Sequence, residues 1–113
     1  MVKHEDALLA DSVFVEVFGN SPVIRVLDFL ITFQAFDYPL TEIASNSGVS
    51  YSTLQNLWGG LVRNNIVTKT RRVGKSDLYK LNTKNPAVQK LIMLDWEVTK
   101  NAPHEVKSVL VEN

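Results

Sequence analysis

Between Leu40 and Leu81 the chain carries an order of local signals that few small folds can satisfy. Thr41 is a capping residue for a short helix from Glu42 to Ser47, with Ile43 and Ala44 turned inward. Gly48 stands just past that helix, where a left-handed residue is wanted. After a turn through Val49, Ser50 caps a second helix from Tyr51 to about Asn64. Leu54, Leu57, Trp58, Leu61 and Val62 recur at i, i+3, i+4, i+7 and i+8 and make its buried stripe. Two helices joined by a tight glycine turn have the spacing of a helix-turn-helix. Ile66 to Val73 is β-branched and alternating, Gly74-Lys75-Ser76 reads as a turn, and Asp77 to Leu81 as a returning strand. A hairpin directly after the second helix is far more restrictive than the helix pair alone. Its tip is expected to carry Arg71, Arg72 and Lys75.

The flanks are helical. Ser21-Pro22 pairs a hydroxyl cap with proline at the first helical position, and the apolar residues that follow predict a helix to about Ala35. Asp37-Tyr38-Pro39 ends it. Asn85-Pro86 repeats the cap-and-proline start for a helix from Ala87 to about Lys100. That helix is apolar over more than one face, so Leu91, Leu94, Trp96 and Val98 are expected to meet a second copy of the chain. Residues 2–20 are ambiguous: Val13 to Phe18 suits a strand as well as a helix. The expected organisation is an N-terminal extension (1–20), a central domain (21–84), a dimerisation helix (85–100) and a polar tail (101–113). The fold class is mainly α with a small β-hairpin.

Charge distribution indicates what such a domain could bind. The 113 residues hold 12 basic and 12 acidic side chains, a formal charge of zero. Residues 1–62 nevertheless carry a net −5, residues 63–90 a net +7 and residues 91–113 a net −2. A basic block beside the second helix is an electrostatic footprint for a polyanion, although a charged run can also be a plain solvated face. The absence of Cys excludes disulfides, zinc-thiolate sites and a cysteine nucleophile, and fits a reducing cytoplasm. His4 and His104 lie at opposite ends of the chain, so neither a metal site nor another cofactor is expected. No apolar run is long enough for a membrane span, and Met1 to Asp6 is too acidic and polar for a signal peptide. No phosphate loop, zincin motif or nucleophile elbow occurs, which argues against an enzyme.

Leu40-Thr41-Glu42-Ile43-Ala44, Gly48-Val49-Ser50-Tyr51-Ser52-Thr53-Leu54, Leu61-Val62, Ile66-Val67 and the basic hairpin through Leu81-Asn82 together resemble a known group. They are similar to the winged helix-turn-helix transcriptional regulators of archaea and bacteria, in the broad MarR-like and ArsR-like relationship. Phe18 to Pro22 and Asn85 to Val88 resemble small archaeal members. The resemblance spans about residues 18–98 and implies a homodimer on double-stranded DNA. It departs from metal-sensing members, whose Cys and His clusters are missing here. Gly59-Gly60 inside the second helix is also unusual and reads as fraying, close helix packing or close approach of a partner.

In that architecture the N-terminal part of the second helix enters the major groove. Ser50, Tyr51, Ser52, Gln55 and Asn56 are then the expected base-contacting residues, the two amides being suited to adenine. Thr53, Arg63, Lys69, Arg71, Arg72, Lys75 and Lys80 are the expected contacts to phosphate or minor groove. Thr53 equally suits a capping or packing role. About five phosphate contacts per subunit would give a dimer a log–log salt slope near −9. The acidic N-terminal part is expected to face away from DNA. A protein-binding module of the same fold is the rival reading, because fold alone does not settle function. A small-molecule effector is conceivable between the long helices, but no residue points to one.

Overall fold

Ser12 caps a helix rather than a strand. In the computed structural model, which describes residues 12–102, its hydroxyl oxygen accepts the Val15 N–H at 3.1 Å. The same hydroxyl donates to Asp28 Oδ1 at 2.8 Å, tying α1 (Val13–Phe18) to α2 (Pro22–Thr32). That cap and the burial of Phe14 and Val15 resolve the helix-or-strand ambiguity in favour of a helix. Residues 1–11 and 103–113, including both histidines and nearly all of the expected tail, lie outside the described residues.

Helix α2 starts as expected, with Ser21 as cap and Pro22 at the first position. It ends at Thr32, three residues before the expected Ala35. The segment after it holds the largest departure from the sequence reading. Tyr38–Pro39 is not merely a stop but a two-residue strand, β1. It pairs antiparallel with Tyr79 and Leu78 of β3 (Ser76–Leu81), which pairs in turn with β2 (Val67–Val73). The sheet order is β1-β3-β2, and Pro39, which has no N–H to donate, sits in an edge strand where none is needed.

Because the chain runs extended to Pro39, α3 (Leu40–Ser47) begins at once, with Pro39 in the cap position and no side-chain cap. Thr41 therefore lies inside the first turn and does not cap it, correcting the expected start. The other end follows expectation. Gly48 is left-handed at φ 72°, its N–H bonds Ser45 O at 3.2 Å, and the Val49 N–H bonds Ala44 O at 3.0 Å. The Arg25 guanidinium fills the space a Gly48 Cβ would need, its Nε donating to Ser47 O at 2.9 Å.

Ser50 starts α4 (Tyr51–Arg63) by accepting the Thr53 N–H at 3.1 Å. Asn65, at φ 59°, closes α4 with the same pair of bonds that closes α3: Asn65 N–H to Val62 O and Ile66 N–H to Leu61 O. Asn82 and Asn85 side-chain amides both donate to Asn65 O, at 3.1 and 2.9 Å. This knot of asparagines sets the start of α5 (Pro86–Lys100) beside the end of α4.

The core lies where α2, α3, α4 and the sheet converge. Val26, Ile43, Leu54 and Val88 are fully buried, with Leu81 nearly so. Trp58 meets Tyr79 edge-on at 5.3 Å and so joins α4 to β3. Its indole N–H and the Ser47 hydroxyl are buried without a hydrogen-bond partner among the described residues.

Helix α5 buries only Val88 fully, and lays half-buried Leu91 and Ile92 on the core. At 3.6 residues per turn, Leu91, Leu94 and Val98 form one stripe, whereas Trp96 lies nearly opposite Leu94. The four residues expected to form one seam thus divide. Trp96 is 60% exposed and shares its flank with Met93 and with Lys100, whose Nζ lies 5.9 Å from the ring centre. No helix among the described residues is long and apolar enough to cross a membrane.

Candidate nucleic-acid interface

Ser50, Tyr51, Ser52, Gln55 and Asn56 are all exposed at the N-terminal end of α4. Their side chains are not equally available. The Ser50 hydroxyl accepts the Thr53 N–H, bonds Thr53 Oγ1 at 2.8 Å and lies 3.3 Å from Ser52 Oγ. Thr53 is half-buried within this cap. Gln55 and Asn56, by contrast, make no side-chain hydrogen bond to a described residue, so both amides are free for a ligand.

The hairpin stands beside this helix end. Tyr51 and Lys75 line a cleft of about 250 Å³ together with Pro39, Leu40, Thr41, Ser76, Asp77 and Tyr79. Gly74, at φ 63°, holds the turn that carries Lys75. A two-residue hairpin turn needs positive φ at its first central position, which glycine adopts without a side-chain clash.

A β-bulge sorts the hairpin cations. Lys69 pairs with Tyr79 and Arg71 with Leu78, leaving Thr70 as the extra residue. In a regular strand Lys69 and Arg71 would share a face and Arg72 would point the other way. The bulge shifts the alternation by one. Lys69 and Arg72 therefore both face the Tyr79 side, where Asp77 Oδ1 lies 3.8 Å from Lys69 Nζ and 3.2 Å from Arg72 Nη1. Thr70 and Arg71 face the other side, and both bond Asp37. Arg71 Nε donates to Asp37 Oδ2 at 3.0 Å and Nη2 to Oδ1 at 3.1 Å.

Those bonds from Arg71, and the one from Thr70, hold the Asp37 carboxyl down at about 2. A depressed carboxylate adds stability above its unfolded pKa, so this contribution is complete above about pH 4 and fades as the pH falls toward 2. The same contact raises the Arg71 guanidinium further. The acidic body is thus not wholly turned away from the basic hairpin, since Asp37 grips it.

Of the other expected phosphate contacts, Lys75 makes no ion pair with a described residue and stands next to Tyr51. Lys80 is half-buried and, by alternation from Tyr79, lies on the opposite sheet face. Arg63 sits at the far end of α4, its guanidinium over Gly59 and Gly60. The helix runs unbroken through both glycines, so they do not fray it. Space beside Gly60 is ample, a Cβ there meeting Arg63 Nη2 at 3.9 Å. Gly60→Ala is expected to raise stability by up to about 1 kcal/mol, measured as Tm. It should leave ligand binding unchanged; lost binding would mean that a partner approaches the backbone there.

The sequence reading missed Asp37 as a partner of the hairpin and Thr70 as a bulge. An Asp before a Tyr-Pro pair offered a turn signal, but nothing local linked it to Thr70 and Arg71, which lie 33 and 34 residues away. Among the described residues no group of three His, Cys, Asp or Glu side chains could hold a metal ion. Neither protein families nor curated proteins give a match to this chain.

Proposed function

We propose that this protein is a sequence-specific double-stranded DNA-binding protein of winged helix-turn-helix type, acting as a homodimeric transcriptional regulator. One observation carries the reading: the free amides of Gln55 and Asn56 share the N-terminal end of α4 with Tyr51, and Tyr51 stands across one cleft from Lys75. The bulge adds Lys69 and Arg72 to that same side of the hairpin. A helix end offering unengaged hydrogen-bonding groups beside a basic ribbon matches what a duplex presents, base edges in the groove and phosphates along its rim. Surface ion pairs to Asp77 are worth no more than about 1 kcal/mol, so phosphates can replace that carboxylate. Leu94 and Trp96, the exposed members of the expected seam, leave apolar surface on α5 that supports pairing with a second copy.

Selection of bound fragments from random duplex DNA tests the reading. A two-fold symmetric consensus with half-sites about one helical turn apart supports a dimeric regulator. No enrichment over a scrambled pool removes it. Gln55→Ala and Asn56→Ala should each relax preference at one position of the consensus, by about 1–3 kcal/mol, while leaving the salt dependence unchanged.

A protein-binding module is the alternative, favoured by one feature. Asp37 and Asp77 between them engage three hairpin cations, Lys69, Arg71 and Arg72, which lowers the field available to a polyanion. Such a module would keep its partner when those cations are replaced.

A further inference from the structure

Arg71 stands in the most basic part of the chain, yet its guanidinium is committed to the protein itself. Asp37 accepts two parallel bonds from it and a third from Thr70, so both carboxylate oxygens are occupied. This two-point fork is directional as well as strong. Its place in the fold is specific. Asp37 immediately precedes β1, and its side chain crosses the face of β3 to reach β2, the far strand of the sheet. Strand β1 pairs with the hairpin at Tyr79 and Leu78, and Arg71 is the residue paired with Leu78. The fork therefore grips the outermost rung that β1 supports. Beyond it lie only the Arg72–Asp77 and Val73–Ser76 pairs and the turn with Lys75.

We propose that Asp37 is a positioning residue for nucleic-acid binding, which uses Arg71 as a strut to hold the hairpin at the pitch that sets Lys75 beside the start of α4, with Lys69 and Arg72 on the Asp77 face of the same hairpin. The proposal rests on the DNA-binding reading above. Arg71 is then not a phosphate contact, although its side chain is at least as exposed as those of Lys69 and Arg72. The bulge at Thr70 is the device that separates this strut from its neighbours, turning Arg71 to Asp37 and Arg72 to Asp77. The consequence runs against simple electrostatics. Removing a carboxylate near a polyanion site ordinarily tightens binding, by lowering repulsion. Here it loosens the hairpin and weakens binding.

The test measures affinity of the full chain for a mixed-sequence duplex over a series of salt concentrations. It compares the wild type with Asp37→Asn, Arg71→Ala, Arg71→Lys and the double variant Asp37→Asn/Arg71→Ala. Each single variant is expected to bind about two- to fivefold more weakly, the scale of one well-formed exposed ion pair. The double variant should be no weaker than either single, because the two side chains act as one unit. Amide exchange of Arg72, Val73 and Asp77 should quicken in all of them while Tm changes little. Arg71→Lys is decisive, since it keeps the charge and loses the fork. If Arg71→Lys binds like wild type, or if Asp37→Asn binds more tightly with a steeper salt slope, Arg71 is a phosphate contact and the proposal is overturned. A wild-type chain without salt-dependent duplex binding overturns the DNA reading itself, an outcome seen before any variant is compared.

Discussion

Alanine at Lys69, Arg72 and Lys75 together is expected to lower duplex affinity by about four orders of magnitude for a dimer at about 0.15 M salt. Each phosphate neutralised releases condensed counterions, and six lost contacts shallow the log–log salt slope by about 5. The choice of these three follows from the bulge, which places Lys69 and Arg72 on one hairpin face, and from the turn that sets Lys75 beside Tyr51. Sequence alone would have chosen Arg71 with Arg72 and Lys75, and the slope of about −9 drew about five contacts per subunit from a candidate set that also included Arg71 and Lys80. Losing Lys69 and Arg72 also leaves Asp77 unpaired, which adds repulsion toward phosphate. All three side chains are solvent-exposed, so Tm should change little. Equilibrium titrations across a salt series measure the effect. A triple variant that binds within about tenfold of wild type, with an unchanged slope, would remove the hairpin from the interface.

Leu54→Ala is expected to have the largest effect on stability, about 3–5 kcal/mol. Leu54 is completely buried in α4 and belongs to the cluster shared by α2, α3, α4 and the sheet. It shares that cluster with buried Ile43 of α3 and with Trp58, one turn on in α4, so the cavity cannot close by a simple shift. Against a total of about 5–15 kcal/mol for a typical domain, that loss is a large fraction. At about 4–8 °C per kcal/mol for a domain of this size, Tm should fall by well over ten degrees, as read by thermal denaturation. A fall of only a degree or two would mean that α4 is not seated on this core. The two variants make opposite pairs of observations. The hairpin triple is expected to lose affinity with its stability intact, whereas Leu54→Ala is expected to lose stability with the hairpin cations intact.

Much of the fold is legible in the chain because its signals act within a few residues. Ser21-Pro22, Ser50 and Asn85-Pro86 start helices where expected, since a capping side chain reaches an N–H only two or three residues away. Gly48 ends α3 as expected, because only a left-handed residue lets the next two N–H groups turn back onto the helix. The inward stripe of α4 follows from its period, and Leu54 and Trp58 are buried as that stripe requires. The outward amides Gln55 and Asn56 were legible by the same rule. The seam on α5 was legible only as excess apolar surface; the helical period then separates Trp96 from Leu91, Leu94 and Val98.

What stayed hidden depends on partners distant in the sequence. Tyr38-Pro39 reads as a turn until β3 arrives to pair with it, and that pairing brings the start of α3 forward past Thr41. The bulge at Thr70 has no signature in Ile66 to Val73, because an extra residue exists only relative to the register of the opposite strand. Its effect is nonetheless decisive. One residue of slip exchanges the faces of a strand, so the register, and not the order of basic residues, determines which cations meet Asp77 and which one meets Asp37. Local chemistry was enough to specify two helices, a glycine turn and a basic hairpin, since each signal acts over a few bonds. The direction in which each charge points was decided only when β1, β3 and β2 came together in one sheet.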